Sequence, residues 1–402
     1  MTSDLLNDAA HHRALTRDAK AQLAFFARSL RADGGFDVLD WRGNALPRAP
    51  QELHTTTRLV HSYAMARAAG HGGADDIIDA GMAYLWQVHR DRQHGGYLWS
   101  ALPDEPGDGV KLAYGHVFVV LAAASAAQVG HSDARRLLDD VMSVIDRHYW
   151  DDAVGLHRDE FNRDWTPYST YRGMNANMHG VEAMLAAFEA TGHNMFLSRA
   201  GRILAFFVGR IAPEYGYRLP EHYTQDWQVD PRYAGNPMFR PAGSTPGHSF
   251  ELGRLTLQHW DLSGRPDGNA VAQARRLIEQ ADQDAAMPDG GFAYTLDMDG
   301  KIDISDRYWW PVTEAIGAYA ALIKADAKPS DHQRYGALWD FAQAHLIDHD
   351  NGGWFPELDA AGQKTDRQFA GKPDIYHALQ ADLLPITPGL SGYFKNVRAD
   401  LL

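Results

Sequence analysis

Apolar residues recur at helical spacing in six separate stretches of this chain. In the first, Leu23, Phe26, Ala27 and Leu30 follow i, i+3, i+4, i+7, the signature of one helix face. Equivalent stretches lie at 84–88, 141–145, 203–208, 277–281 and 338–344. Each runs into a glycine followed by an aromatic or aliphatic residue: Gly34-Gly35-Phe36, Gly95-Gly96-Tyr97, Gly155-Leu156, Gly216-Tyr217, Gly290-Gly291-Phe292 and Gly352-Gly353-Trp354. The last glycines stand at 35, 96, 155, 216, 291 and 353, so the gaps are 61, 59, 61, 75 and 62 residues. A fixed long period means one supersecondary unit used repeatedly.

After each glycine comes a short stretch of strand-like alternation, as in 292–296, and 297–300 reads as a hairpin turn. A second helical stretch follows, such as 117–127. Each unit is therefore a helix, a hairpin or loop, and a helix. Six units form either an open solenoid or a closed ring. The second helices are rich in Ala, Gly and Val, which suits burial on all sides, whereas the first are amphipathic. That alternation favours an all-α fold, an (α/α)6 barrel with an inner and an outer ring, and one domain over residues 1–402. The unit between Gly216 and Gly291 is longer by one loop, 220–246, which holds Trp227, Tyr233, Phe239 and Arg240. Long loops in compact domains are usually functional, so this one is expected to cap the barrel mouth.

The periodicity also organises the polar residues. Arg58, His116, His179, His248 with Glu251, Glu314 and His377 each lie near the start of a second helix. Pro246, Pro311 and Pro373 precede three of them, and proline favours the first helical position. Thr245, and Thr55 to Thr57, are expected N-caps. In a closed ring these groups converge on one mouth, where helix N-termini favour an electron-rich ligand such as a polyhydroxylated sugar. His248 and Glu251 share a helix face, so the carboxylate is expected to tune the imidazole. Asn175 and His179 share another face suited to hydroxyl recognition. Arg58 needs a partner, Glu314 or Glu251. Tyr114, Trp309, Trp310 and Phe239 are candidates for an apolar floor under a sugar.

Composition narrows the chemistry. The 402 residues carry a formal net charge of −14 without a basic cluster, which argues against nucleic acid. No cysteine is present, so thiolate catalysis and thiolate metal sites are excluded. No zinc-ligand spacing stands out, and neither a metal nor a cofactor is expected. The longest apolar run is too short to span a bilayer, and the first twenty residues do not resemble a signal peptide. A cytoplasmic location is expected, and a homo-oligomer is left open.

The segments 171–179 (YRGMNANMH), 245–251 (TPGHSFE), 309–314 (WWPVTE) and 372–377 (KPDIYH) resemble the N-acylglucosamine 2-epimerase superfamily, and its aldose–ketose isomerase branch in particular. The resemblance implies an (α/α)6 barrel that moves a proton beside a sugar carbonyl without a metal. It implies a monosaccharide substrate, with D-mannose and D-fructose interconverted through a cis-enediolate. It makes His248 and His377, with Glu251, the acid/base groups, His248 for the C2–C1 transfer and His377 for ring opening. Arg58, Tyr114, Asn175, His179, Trp310 and Glu314 would bind the sugar. Arg240 would serve a sulfonate if sulfoquinovose were the substrate. Sugar 2-epimerisation, a glycoside hydrolase using Glu251 and Glu314, and a non-catalytic sugar-binding scaffold are the rival readings.

Overall fold

The computed structural model describes residues 4–101, 109–236 and 238–402. The chain runs through α1 (Ala9–Phe26), α2 (Leu53–Ala68), α3 (Ala74–Tyr84), α4 (Ala113–Gln128), α5 (Ala134–Val144), α6 (Met174–Thr191), α7 (Asn194–Leu204), α8 (Pro246–Leu262), α9 (Ala270–Ala285), α10 (Trp309–Asp326), α11 (Pro329–Phe341) and α12 (Tyr376–Ile386). The even-numbered helices pack side by side in chain order, and α12 returns to α2. The odd-numbered helices lie outside them, each against an inner neighbour. This is the expected (α/α)6 barrel. In α4 all but three residues are buried, as its small-residue run requires.

The ring is stitched at one end by backbone pairing between successive units. Gln51–Glu52 pairs with Ser100–Ala101, Lys111–Leu112 with Glu160–Phe161, Arg172–Gly173 with His222–Tyr223, and Arg307–Tyr308 with Glu357–Leu358. Single bridges Ser244↔Leu296 and Leu39↔Lys372 complete the set, the last joining the final unit to the first. Each pair sits just before an inner helix, so all six inner helices begin at the same end of the barrel. The hairpin expected at 297–300 is present between Thr295–Leu296 and Ile302–Ile304.

The glycine turns have a common cause. Several outer helices end in a widened turn, with Arg90 N–H bonded to Leu85 O and Ile347 N–H to Ala342 O. The chain then reverses through glycines whose φ runs from 62° at Gly216 to 102° at Gly290, a region closed to most side chains. Side chains near the start of the next inner helix hold the turn: Phe36 N–H donates to Gln51, Tyr97 N–H to His116 Nε2, and His157 N–H to Asn177.

Local details depart from expectation. The helix containing Leu23 stops at Phe26, with a tighter turn before Leu30. Thr55, Thr56 and Thr57 lie inside α2, where Thr57 bonds back to Leu53 O. Pro246 does open α8, but Thr245 ahead of it makes no side-chain cap. Pro311 is the third residue of α10, where the backbone N–H has no helical partner to lose. Pro373 lies outside α12. No helix among the described residues is long and apolar enough to cross a membrane.

Candidate active site

Counting from the first residue of each inner helix exposes layers along the barrel axis. The second residues of α2, α4, α6, α10 and α12 are His54, Tyr114, Asn175, Trp310 and His377. In α8 the third residue, His248, takes that level. One helical turn deeper, the sixth residues of α2, α4, α6, α8 and α10 are Arg58, Phe118, His179, Glu251 and Glu314. Deeper again, the ninth residues include His61, Glu182 and Arg254. Steps of four and three keep one helix face turned to the axis.

The first two layers enclose a cavity of about 350 Å³, within the range of small-molecule sites. Arg58, Tyr114, Asn175, His179, Arg240, His248, Glu251, Trp310 and His377 all line it. Glu314 does not, because it stands behind His377. The long loop supplies Met238, Phe239, Arg240 and Pro241 to the wall, as a mouth cap would. Trp227 from the same loop is instead buried against Phe206 and Phe207.

His248 and His377 both pack on the indole of Trp310, with ring centroids 5.0 Å and 5.9 Å away. Each is held from behind by a carboxylate. His377 Nδ1 lies 2.7 Å from Glu314, and His248 Nδ1 lies 2.9 Å from Glu221. With Nδ1–H donating, Nε2 of each ring is left as the basic nitrogen. The expectation that Glu251 tunes His248 is therefore corrected. Spacing of i, i+3 puts both on one side of α8, but the short first turn points His248 to the mouth and Glu251 inward.

Glu251 is fully buried, and neither of its carboxyl oxygens has a hydrogen-bond partner. Burial first, then the nearby Glu314 and Glu182, push its pKa well above the ordinary value. Its nearest ionisable contacts are His179 Nδ1 at 3.4 Å and Arg254 at 3.9 Å. Burial holds His179 down to about 4, so its ring is neutral near pH 7. Glu314 is buried too, but Arg254 at 3.0 Å and His377 outweigh that penalty and keep it ionised.

Arg58 is paired with neither expected glutamate. It bonds to Asp374 at 2.6 Å and to the Tyr114 hydroxyl at 3.0 Å, over the faces of Phe118 and Tyr376. Asp374 sits just ahead of α12, which packs against α2, whereas Glu251 and Glu314 come from α8 and α10, which are not ring neighbours of α2. Burial opposes the charge on Asp374, but Arg58 overcomes it. Tyr114 is pushed up to about 12 by burial. His116 is a correction of another kind. It is the fourth residue of α4, in phase with Asn177 and not with His179, so it braces the glycine turn away from the cavity. Its Nδ1 also lies 2.7 Å from Leu112 O.

Sequence reasoning missed Glu221, Asp374, Arg254, His54 and Asp159. His54 stacks on Trp99 at 5.1 Å, and burial lowers it to about 3. Asp159 accepts Gly173 N–H at 2.9 Å and is pushed up to about 8 by burial. Only Asp374 had a visible signal, being an Asp two residues ahead of a helix start. Two trios bring possible metal-ligand atoms within 4.8 Å of one another: His179, Glu182 and Glu251, and Glu251, Glu314 and His377.

The structure is thus a closed ring of helix pairs around a cavity that holds two histidines, each backed by a carboxylate. Residues 34–381 match the family model described as N-acylglucosamine 2-epimerase, and the chain belongs to that family. It is 37% identical over 396 residues to the D-mannose isomerase of Pseudomonas cannabina pv. alisalensis, covering 96% of this chain and 95% of the relative. It is 38% identical over 403 residues to the D-mannose isomerase of Thermobifida fusca, covering 97% and 98%. A crystal structure of a D-mannose isomerase superposes with a TM-score of 0.87 at 30% identity, covering 93% of this chain and 97% of that one.

Proposed function

We propose that this chain is an aldose–ketose isomerase that interconverts D-mannose and D-fructose, acting as a single catalytic domain without a metal. The observation that carries the reading is the pair of imidazoles on one indole, each with Nδ1 held by a carboxylate. Full-length similarity to two D-mannose isomerases supports the choice of sugar.

The steps follow from positions. Ring opening moves a proton from the O1 hydroxyl to the ring oxygen, a task for His377 at the mouth. His248 Nε2 then takes the proton from C2. The electron pair left on carbon moves into the carbonyl, giving a cis-enediolate whose charge lies on O1 and O2. A proton passes between these oxygens, and His248 returns its own proton to C1, leaving the ketone at C2. Arg58, with Tyr114 bonded to it, and Glu251, kept neutral by burial, supply the donors that the developing charge needs. His179 and Asn175 orient the hydroxyls, and Trp310 supports the apolar face of the sugar.

Two rivals lose ground on particular contacts. Arg240, the candidate sulfonate cation, is engaged by Glu160 at 2.7 Å and lies 4.1 Å over the Tyr171 ring. Glu314, one of two carboxyls that a glycoside hydrolase would need, is tied to Arg254 and His377 behind the cavity wall. The test is incubation with D-mannose in excess chelator, followed by NMR. Formation of fructose supports class and metal independence together. Recovery of mannose alone, or of glucose as the sole product, would refute the reading.

A further inference from the structure

The floor of the cavity has unspent ligand capacity. Glu251 is fully buried, yet neither of its oxygens finds a partner among the described residues. His179 is 4% exposed, and its Nδ1 is also without a hydrogen bond. These atoms face one another. His179 Nδ1 lies 3.4 Å from Glu251 Oε1 and 3.7 Å from Glu182 Oε2. A tetrahedral zinc ion with nitrogen and oxygen donors about 2.0–2.1 Å away requires donor–donor edges of roughly 3.4 Å. The observed separations are already close to those edges. His179 Nδ1 and both oxygens of Glu251 remain unpaired at these separations, whereas Glu182 Oε2 also accepts the Tyr376 hydroxyl and would keep that contact beside an ion.

We propose that His179, Glu251 and Glu182 form a capture site for one divalent cation of the zinc type, and that filling it switches the enzyme off. Two carboxylates cancel the charge of the ion, and one imidazole nitrogen supplies the borderline donor that zinc favours over magnesium or calcium. Three protein ligands leave a fourth position open toward the cavity. His179 and Glu251 line that cavity, so an ion entering by the mouth reaches them directly. The second trio, Glu251, Glu314 and His377, is the weaker candidate. There Arg254 already occupies Glu314 at 3.0 Å, and His377 Nδ1 is 2.7 Å from the same carboxylate.

Inhibition follows from the residues consumed. An ion held by Glu251 and His179 removes one of the donors proposed for the enediolate oxygens, takes up a side chain that orients the hydroxyls, and narrows the space beneath the sugar. This inhibitory half rests on the isomerase reading; the binding half does not.

The experiment uses chelator-stripped full-length protein and zinc chloride in a non-coordinating buffer. Calorimetric titration is run on the wild type, Glu251→Gln and His179→Ala, because the chain carries 20 histidines and surface sites must be subtracted. The expected result is one site in the wild type that is at least about tenfold weaker in both variants, as loss of a ligand demands. Mannose turnover by the wild type should fall with the same midpoint and return on adding EDTA. Identical titrations of wild type and both variants would overturn the proposal, even if zinc slowed turnover. A wild type that binds zinc at this site but never converts mannose would leave the site standing and refute the isomerase reading alone. Glu251→Gln is nearly isosteric, so it keeps the comparison valid if His179→Ala folds poorly.

Discussion

His248 reaches back 27 positions to Glu221, whose carboxylate lies 2.9 Å from its Nδ1. The same carboxylate oxygen accepts Thr245 N–H at 3.2 Å. Glu221 thus fixes both the ring and the peptide that leads into α8. His377 has the matching arrangement with Glu314, drawn from a neighbouring helix. One imidazole is oriented by the loop before its own helix and the other by the helix beside it.

Glu221→Gln keeps a side chain of the same size but removes the charge behind Nδ1. The variant amide can present its NH2 group to the ring and favour the wrong tautomer. Turnover of mannose should fall by roughly tenfold to a hundredfold while KM changes little, because Glu221 acts on the base and not on the sugar. Steady-state kinetics on the variant measure the split. A variant with unchanged kcat would remove Glu221 from the catalytic arrangement.

His116→Ala should separate structure from catalysis. His116 is fully buried and accepts Tyr97 N–H at 3.0 Å. Truncation leaves that N–H unpaired in the core and opens a void beside Tyr149, whose ring lies 4.8 Å from the imidazole. A loss of about 2–4 kcal/mol is expected in urea unfolding, with kcat/KM for mannose nearly unchanged in the folded enzyme. A selective loss of turnover would return His116 to the site.

The placing of His116 shows how far one sequence carries. The period of the glycine turns gave the helix pairs, and the contrast between small-residue and amphipathic helices gave the ring. Together they also gave most of the cavity wall, because a residue near the start of an inner helix of small side chains has little room except toward the axis or a glycine turn. Choosing between those two directions requires the helix start to within one residue. No proline or threonine immediately precedes α4 or α6, so His116 and His179 looked equivalent although they differ in phase by half a turn. Partners were harder still. Asp374 pairs with Arg58 across 316 positions. An Asp two residues before a helix reads as a local cap, and it does accept Tyr376 N–H at 3.0 Å. Its second task exists only once the ring closes.

Arg240 tests whether the mouth accepts an anionic sugar. The cavity is lined by Glu52, Asp159, Glu221, Glu251 and Asp374 against Arg58 and Arg240, and both arginines are already paired. A sulfonate would have to break the Arg240–Glu160 contact, because neither arginine of the wall is free to receive it. Wild-type kcat/KM for D-mannose should exceed that for sulfoquinovose by at least about a hundredfold, since poorly matched charges cost several kcal/mol. Glu160→Gln frees the guanidinium and should narrow that ratio. Equal turnover of the two sugars by the wild type would contradict this account of the mouth.

Asp159 makes stability depend on pH in a direction opposite to most carboxylates. It is 5% exposed, lies in the cavity wall, and is pushed up to about 8 by burial, with Arg240 and Gly173 N–H only partly offsetting the penalty. In the unfolded chain it should lose its proton near the ordinary value of about 3.9. Between these two values the folded state holds a proton that the unfolded state has released. Stability due to this group is therefore intact below about pH 4, declines as pH rises, and reaches its minimum above about pH 8. Asp159→Asn removes the titration and retains an oxygen that can accept Gly173 N–H. The thermal midpoint of the wild type should fall more than that of the variant between about pH 5 and about pH 8, with the variant the more stable at the upper end. Parallel midpoints for both proteins across that interval would show that the carboxyl is not held protonated by its surroundings.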